Sequence, residues 1–295
     1  MNVTTILTAP IQSFSSLARF YARFHGSCCS LLAIELFALI GFASRRSAGI
    51  FVAVLLFTLF TYVVLTVLLH TQREERLRAL QATFPDASYA LHMAIKLAEQ
   101  EESLYSNRFP LCPILSEKLR NILYWKTFFR MRELSIQAGI THLVHRIQTN
   151  PLDSYLHIEL ANAYEQLAFL YLPSQSSLRW IPRAYTSSSM QKKCLHACER
   201  AIEELSIAQT QSPSIEICAK IGALYRLQGL NQKEIFSLQT LLQQDPSHAP
   251  SQFRLGLLYF MHGRHAEGLQ LYALLHQTHP QEAKVLIEHY DSCTF

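Results

Sequence analysis

Sustained alternation of apolar and polar residues is missing from this chain of 295 residues, so sheet-built classes are not expected. Also missing are a phosphate loop, a nucleophile–base signature and paired catalytic carboxylates, so the chain reads as a binding protein and not as an enzyme. Its 26 Lys and Arg and 22 Asp and Glu give a net charge of +4, and the basic residues are scattered. Without a basic cluster interleaved with aromatics, nucleic acid is not an expected partner. No cofactor or small-molecule substrate is indicated either. The seven cysteines are odd in number and irregular in spacing, so they make no disulfide framework. Cys194 and Cys198 share one helix face and read as buried free thiols. Cys28 and Cys29, at the edge of an apolar run, admit either acylation or simple burial. The pairs His262/His265 and His276/His279 fall at opposite ends of one helix, roughly 18 Å apart. One metal ion with bonds near 2 Å cannot gather them.

What the chain does contain is a repeat. Ile221-Gly222-x-x-Tyr225-x-x-x-Gly229…Pro246 returns as Leu255-Gly256-x-x-Tyr259-x-x-x-Gly263…Pro280, every position shifted by 34. A fixed period of this length implies stacked helical hairpins, each too small to bury its apolar face alone. Gly222 and Gly256 lie inside the first helix, where glycine costs about 0.5–1 kcal/mol relative to alanine, so a close helix approach is expected there. Tyr225 and Tyr259 follow on the same face. Gly229 and Gly263 occupy the left-handed C-cap position. The second helix is expected to bury Ile235, Leu238 and Leu241 in one copy and Leu269, Tyr272 and Leu275 in the next, with Pro246 and Pro280 stopping it.

These motifs resemble the tetratricopeptide repeat (TPR) family, whose unit has this length and this Leu-Gly…Tyr…Gly…Pro signature. The resemblance implies an all-α, TPR-like solenoid of helical hairpins. Glu234 departs from it, standing where the family has a small alanine; Gly268 in the next copy fits. A third copy opens at Leu160-Ala161-x-x-Tyr164, after Asn150-Pro151. Its second helix is delayed to Ala201, Leu205 and Ala208 by a Ser- and Pro-rich insertion over 172–190, and Pro213 ends it. Residues 281–290 have the periodicity of a capping helix. Upstream, 86–107 and 116–149 read as helices separated by Pro110 and Pro113, and as degenerate hairpins of the same array.

The family's concave face is built from first helices, which here implies Tyr155, Ile158, Asn162, Glu165, Lys220, Ala223, Arg226, Phe253, Arg254, Leu257 and Phe260. Asn162 and Arg254 match positions of the carboxylate clamp of chaperone-binding members, but Ile158, Pro250 and Lys220 break the pattern. Phe253, Leu257 and Phe260 beside Arg254 suggest an apolar patch for an amphipathic or extended peptide. The alternative is that these aromatics pack against the capping helix.

At the other end, residues 48–69 are about 22 residues without a charge, the length that crosses a hydrocarbon core of roughly 30 Å. A second apolar run covers 27–43, broken by Glu35, and Ser44-Arg45-Arg46-Ser47 joins the two. The expectation is two transmembrane helices making a hairpin over 27–70 and contacting a lipid bilayer. It divides the chain into an N-terminal segment 1–26, the hairpin, helical linkers over 71–149 and the solenoid over 150–295. Arg19, Arg23, Arg73, Arg76 and Arg78 outside, against Arg45 and Arg46 in the loop, put both termini in the cytoplasm of a bacterial inner membrane. Glu35 admits two readings, a protonated carboxyl bonded to Thr58, Thr61 or Tyr62 or a relay group. The expected function is a membrane-anchored scaffold or adaptor that binds a protein or peptide in the groove. The hairpin also resembles the bilobed inclusion membrane proteins of chlamydiae, which would imply a secreted effector in a host vacuole membrane.

Overall fold

Proline, glycine and short polar side chains set several of the described helix ends in this chain. A computed structural model describes residues 20, 24, 26–28, 30–38, 40, 48–81, 84–106, 113–172 and 188–294. Every regular element among these is an α-helix. The chain divides into two compact units: Met1–His142 with Leu172–Met190, and Leu143–Tyr171 with Gln191–Phe295.

In the first unit, α1 is Ala48–Gln81, α2 is Ala87–Ser106 and α3 is Pro113–Thr149, the last running on past the unit's boundary. Helices α2 and α3 correspond to the helices expected over 86–107 and 116–149, whereas α1 runs on past the apolar run that ends at 69. Pro113 is the first residue of α3, where its missing N–H and fixed φ cost nothing. The Asp86 carboxylate accepts from the Tyr89 N–H at 2.6 Å, which caps the start of α2. Phe84 with Ala90, Met93 and Leu97 of α2 packs against Phe128, Met131, Leu134 and Ala138 of α3. A Cβ on Gly139 would lie 2.9 Å from Leu91 Cγ, so α3 needs glycine where α2 crosses it.

The expected membrane hairpin is corrected here. The described helix over 30–38 has Glu35 at its centre, and α1 becomes charged from Arg73 onward. Among the described residues no helix is long and apolar enough to cross a membrane. That finding overturns the placement as an integral membrane protein, in a bacterial inner membrane or in a host vacuole membrane. Lipid contact through 27–70 has no support, and the joining segment 44–47 lies outside the described residues. Apolar side chains of α1 stand exposed, Phe57 and Phe60 among them. Thr61 and Thr71 of this helix donate to the carbonyls four residues back.

The second unit holds the end of α3 and the repeats. Helix α4 is Ser154–Tyr171, α5 is Ser188–Gln211, α6 is Ile215–Gln228 and α7 is Asn231–Gln244. Helix α8 is Ala249–Met261, α9 is His265–Thr278 and α10 is Pro280–Thr294. The two full repeats are α6–α7 and α8–α9, and their backbones copy each other. Gly229 and Gly263 both sit at φ 71°, the left-handed region that only glycine enters cheaply. In each copy the glycine N–H donates three residues back (to Arg226 and Phe260) and the next N–H donates five back (to Tyr225 and Tyr259). This double bond pattern closes the helix end in a Schellman turn. The second helices also end alike, at Gln244 and Thr278, two residues before Pro246 and Pro280.

Two expectations need adjustment. Helix α5 starts at Ser188, well before Ala201, and its early turns bury Cys194, Ala197 and Cys198 as well as the expected Ala201, Leu205 and Ala208. Leu269 is 40% exposed, whereas its counterpart Ile235 is buried at 3%. Ile235 is covered by Leu255, Leu258 and Tyr259 of α8, and Leu269 has no equivalent cover.

Candidate functional site

The first helices α4, α6 and α8 carry the side chains expected to line a groove. Tyr155 and Arg226 are open to solvent, Tyr155 at 60% exposure. The Tyr155 hydroxyl donates to Glu159 Oε1 at 2.7 Å, and that bond raises its pKa above the usual tyrosine value. Ile158, Asn162, Glu165, Lys220 and Ala223 are half-buried. Lys220 Nζ donates to Asn162 Oδ1, which brings α4 and α6 together across the delayed repeat.

Four expected groove residues are committed elsewhere. Arg254 makes a bidentate pair with Glu234, Nε to Oε1 at 2.7 Å and Nη2 to Oε2 at 2.9 Å. Glu234 is 2% exposed, so a buried carboxylate, paired by the next repeat, stands where a small residue was expected. Phe260 is 3% exposed, with its ring centroid 4.8 Å from that of Tyr290. Phe253 and Leu257 are half-buried against the cluster of Phe260, Leu275, Ala283 and Leu286. The apolar patch is thus largely filled from within the array: Phe260 of α8 takes the space above Gly268 of α9, and Leu286 of α10 the space above Gly256. In the first copy Gly222 faces Ser237 instead, whose hydroxyl donates to the Cys218 carbonyl at 3.0 Å.

Sequence reasoning missed Leu286 and Tyr290 as packing partners of α8. The apolar periodicity of 281–290 was a signal for a cap but not for its register. It also missed His157 and Glu204, because that pair is separated by 47 residues and by the insertion. Glu35 does reach the neighbouring helix, where the Thr58 hydroxyl donates to its Oε1 at 2.9 Å.

The Cys198 thiol hydrogen-bonds to Cys194 and lowers the Cys194 pKa to about 7; the same bond and burial raise that of Cys198. Both lie buried in the α4–α5 contact. Among the described residues no group of three or more His, Cys, Asp or Glu side chains is placed to hold a metal ion.

No family model matches the chain, and no curated relative matches it. Among solved structures it is similar to the crystal structure of MamA, at 14% identity and a TM-score of 0.37, over 54% of this chain and 89% of that one. It is also similar to TTC0263, a thermophilic TPR protein of Thermus thermophilus, at 16% identity and a TM-score of 0.36, over 70% of this chain and 98% of that one. Likenesses this distant add nothing to what the repeat and its backbone establish: an all-α helical repeat.

Proposed function

We propose that the repeat array is a scaffold that binds a protein or peptide partner along the exposed face of its first helices. The observation that supports this reading is the contrast along that face. Tyr155 and Arg226 are open, with Ile158 and the Asn162–Lys220 pair beside them, while the Phe260 end is covered by α10. An extended peptide placed there would set an apolar side chain on Tyr155 and Ile158 and a carboxylate near Arg226 or Lys220. Phe253 and Leu257, both half-buried, mark the far limit of the proposed face.

The test is photo-crosslinking in the native cell with a benzophenone amino acid at 155, at 226 and, as control, at 236. Phe236 is 72% exposed on α7, a second helix. Crosslinks to one common protein from 155 and 226, absent from 236, are expected. Equal yield from 236 would sink the reading. With the partner in hand, Tyr155→Ala plus Arg226→Ala should weaken binding about tenfold, equivalent to about 1.4 kcal/mol.

A further inference from the structure

His157 lies on the first turn of α4 and is 5% exposed. Both of its ring nitrogens face acceptors. Nδ1 is 2.7 Å from Glu204 Oε2 on α5, and Nε2 is 3.1 Å from the Pro151 carbonyl in the turn between α3 and α4. A neutral imidazole carries one N–H, so it can satisfy only one of these contacts and must aim a lone pair at the other acceptor. Imidazolium donates to both.

The charges facing the ring favour that form. Glu204 is 8% exposed and stands directly against it, and Asp153 lies at the start of α4. The facing cation is Arg200, whose Nη2 is 3.8 Å from Glu204 Oε1, on the far oxygen from the ring. Arg200 is partly exposed and also engages Glu203. Burial opposes the charge on His157, but the bonds to Glu204 and Pro151 and the field of the carboxylates outweigh it, and its pKa is raised.

We infer that His157 is a proton-operated latch: as imidazolium it pins the α3–α4 corner to α5, and on deprotonation it lets go of one of the two. A neutral ring keeps either the carboxylate or the carbonyl, and the buried acceptor left over loses its donor. The sign follows from linkage. A folded-state pKa above the unfolded value stabilises the corner fully below the unfolded pKa, and the stabilisation is lost as pH rises through the folded pKa. The corner therefore loosens on alkalinisation and not on acidification. This device is independent of whether the first-helix face binds a partner.

The test is hydrogen exchange of the full chain between pH 6 and pH 9, corrected for intrinsic rates, following peptides over 148–160 against α8 as internal reference. The wild type is expected to lose relative protection over 148–160 as pH rises, since the stabilisation held by a raised pKa disappears through the folded-state pKa. His157→Gln should show a flat ratio. Glu204→Gln, which keeps a hydrogen-bonding partner of the same shape, should move the transition to lower pH. A flat wild-type ratio, or a fall retained in His157→Gln, would overturn the latch. The nitrogen-15 shifts of the His157 ring, read in the unmutated protein, give a second measure that does not depend on a variant folding. Two protonated nitrogens on the acid side of the exchange transition and one on its alkaline side are expected, and a neutral tautomer on both sides refutes the inference.

Discussion

Glu234 is nearly sealed from water, and the group that makes this tolerable is a guanidinium 20 residues downstream. Taking one partner from a buried pair leaves an uncompensated charge, which costs about 3–5 kcal/mol. Arg254→Met should therefore destabilise the chain by about 3 kcal/mol in urea unfolding, and should cost little in a Glu234→Ala background. Glu234→Ala alone should be milder, because Arg254 is 27% exposed and can turn to water. Equal effects of Arg254→Met in both backgrounds would show that the pair is not what holds the two repeats together. The left-handed glycines give a second residue-scale prediction. Gly229→Ala places a Cβ in a conformation that costs roughly 1–2 kcal/mol, read as a lower unfolding midpoint. The glycine was legible from its place in the repeat, since only local sterics decide it. Arg254's partner was not, since a long side chain chooses among whatever the fold brings within its reach.

At the scale of helices, the glycines inside the repeats serve different neighbours. A Cβ on Gly256 would lie 2.9 Å from Leu286 Cδ2, whereas one on Gly222 would meet Ser237 Oγ at 3.4 Å. At Gly268 the obstacle is the Phe260 ring, itself packed beside Tyr290 and His265. A methyl forced into that cluster has no soft direction to go. Gly268→Ala should thus cost about 1–3 kcal/mol by overpacking, read in the same urea experiment. If it proved neutral, Phe260 would have to be free to move, and the covered end of the first-helix face would be open after all. The contrast between Ile235 and Leu269 belongs here too. Both were expected in the core from one pattern, but each second helix depends on the element that follows it. Helix α10 begins on Pro280 itself, while in the preceding copy α8 begins at Ala249, three residues after Pro246. The cap consequently sits in a different register and leaves Leu269 uncovered.

For the whole molecule, the second unit should behave as a linear array in which each repeat is stabilised by its neighbours. Leu286 is fully buried in the terminal cluster, so Leu286→Ala should cost about 2–5 kcal/mol. Hydrogen exchange should place that loss in α8, α9 and α10, with α4 and α5 keeping their protection. Uniform loss throughout the unit would mean that it unfolds as one block. The first unit has its own core from Phe84, α2 and α3, so it should not respond to this change.

The sequence by itself determined the helical class, the 34-residue period, the cap glycines, the stopping prolines and the positions of the upstream helices. Those depend on backbone sterics and on apolar periodicity, which neighbouring residues express without help from the rest of the chain. It also suggested a membrane-crossing hairpin that the described helices do not support, because a count of apolar residues carries no information on how the chain arranges them. Only the tertiary structure decided that Arg254 answers Glu234, that α10 covers Phe260, and that His157 meets Glu204 across 47 residues. Those pairings join side chains from different helices, and which helices meet is set by the packing of the whole unit, where burial makes each unpaired charge or empty space too costly to leave.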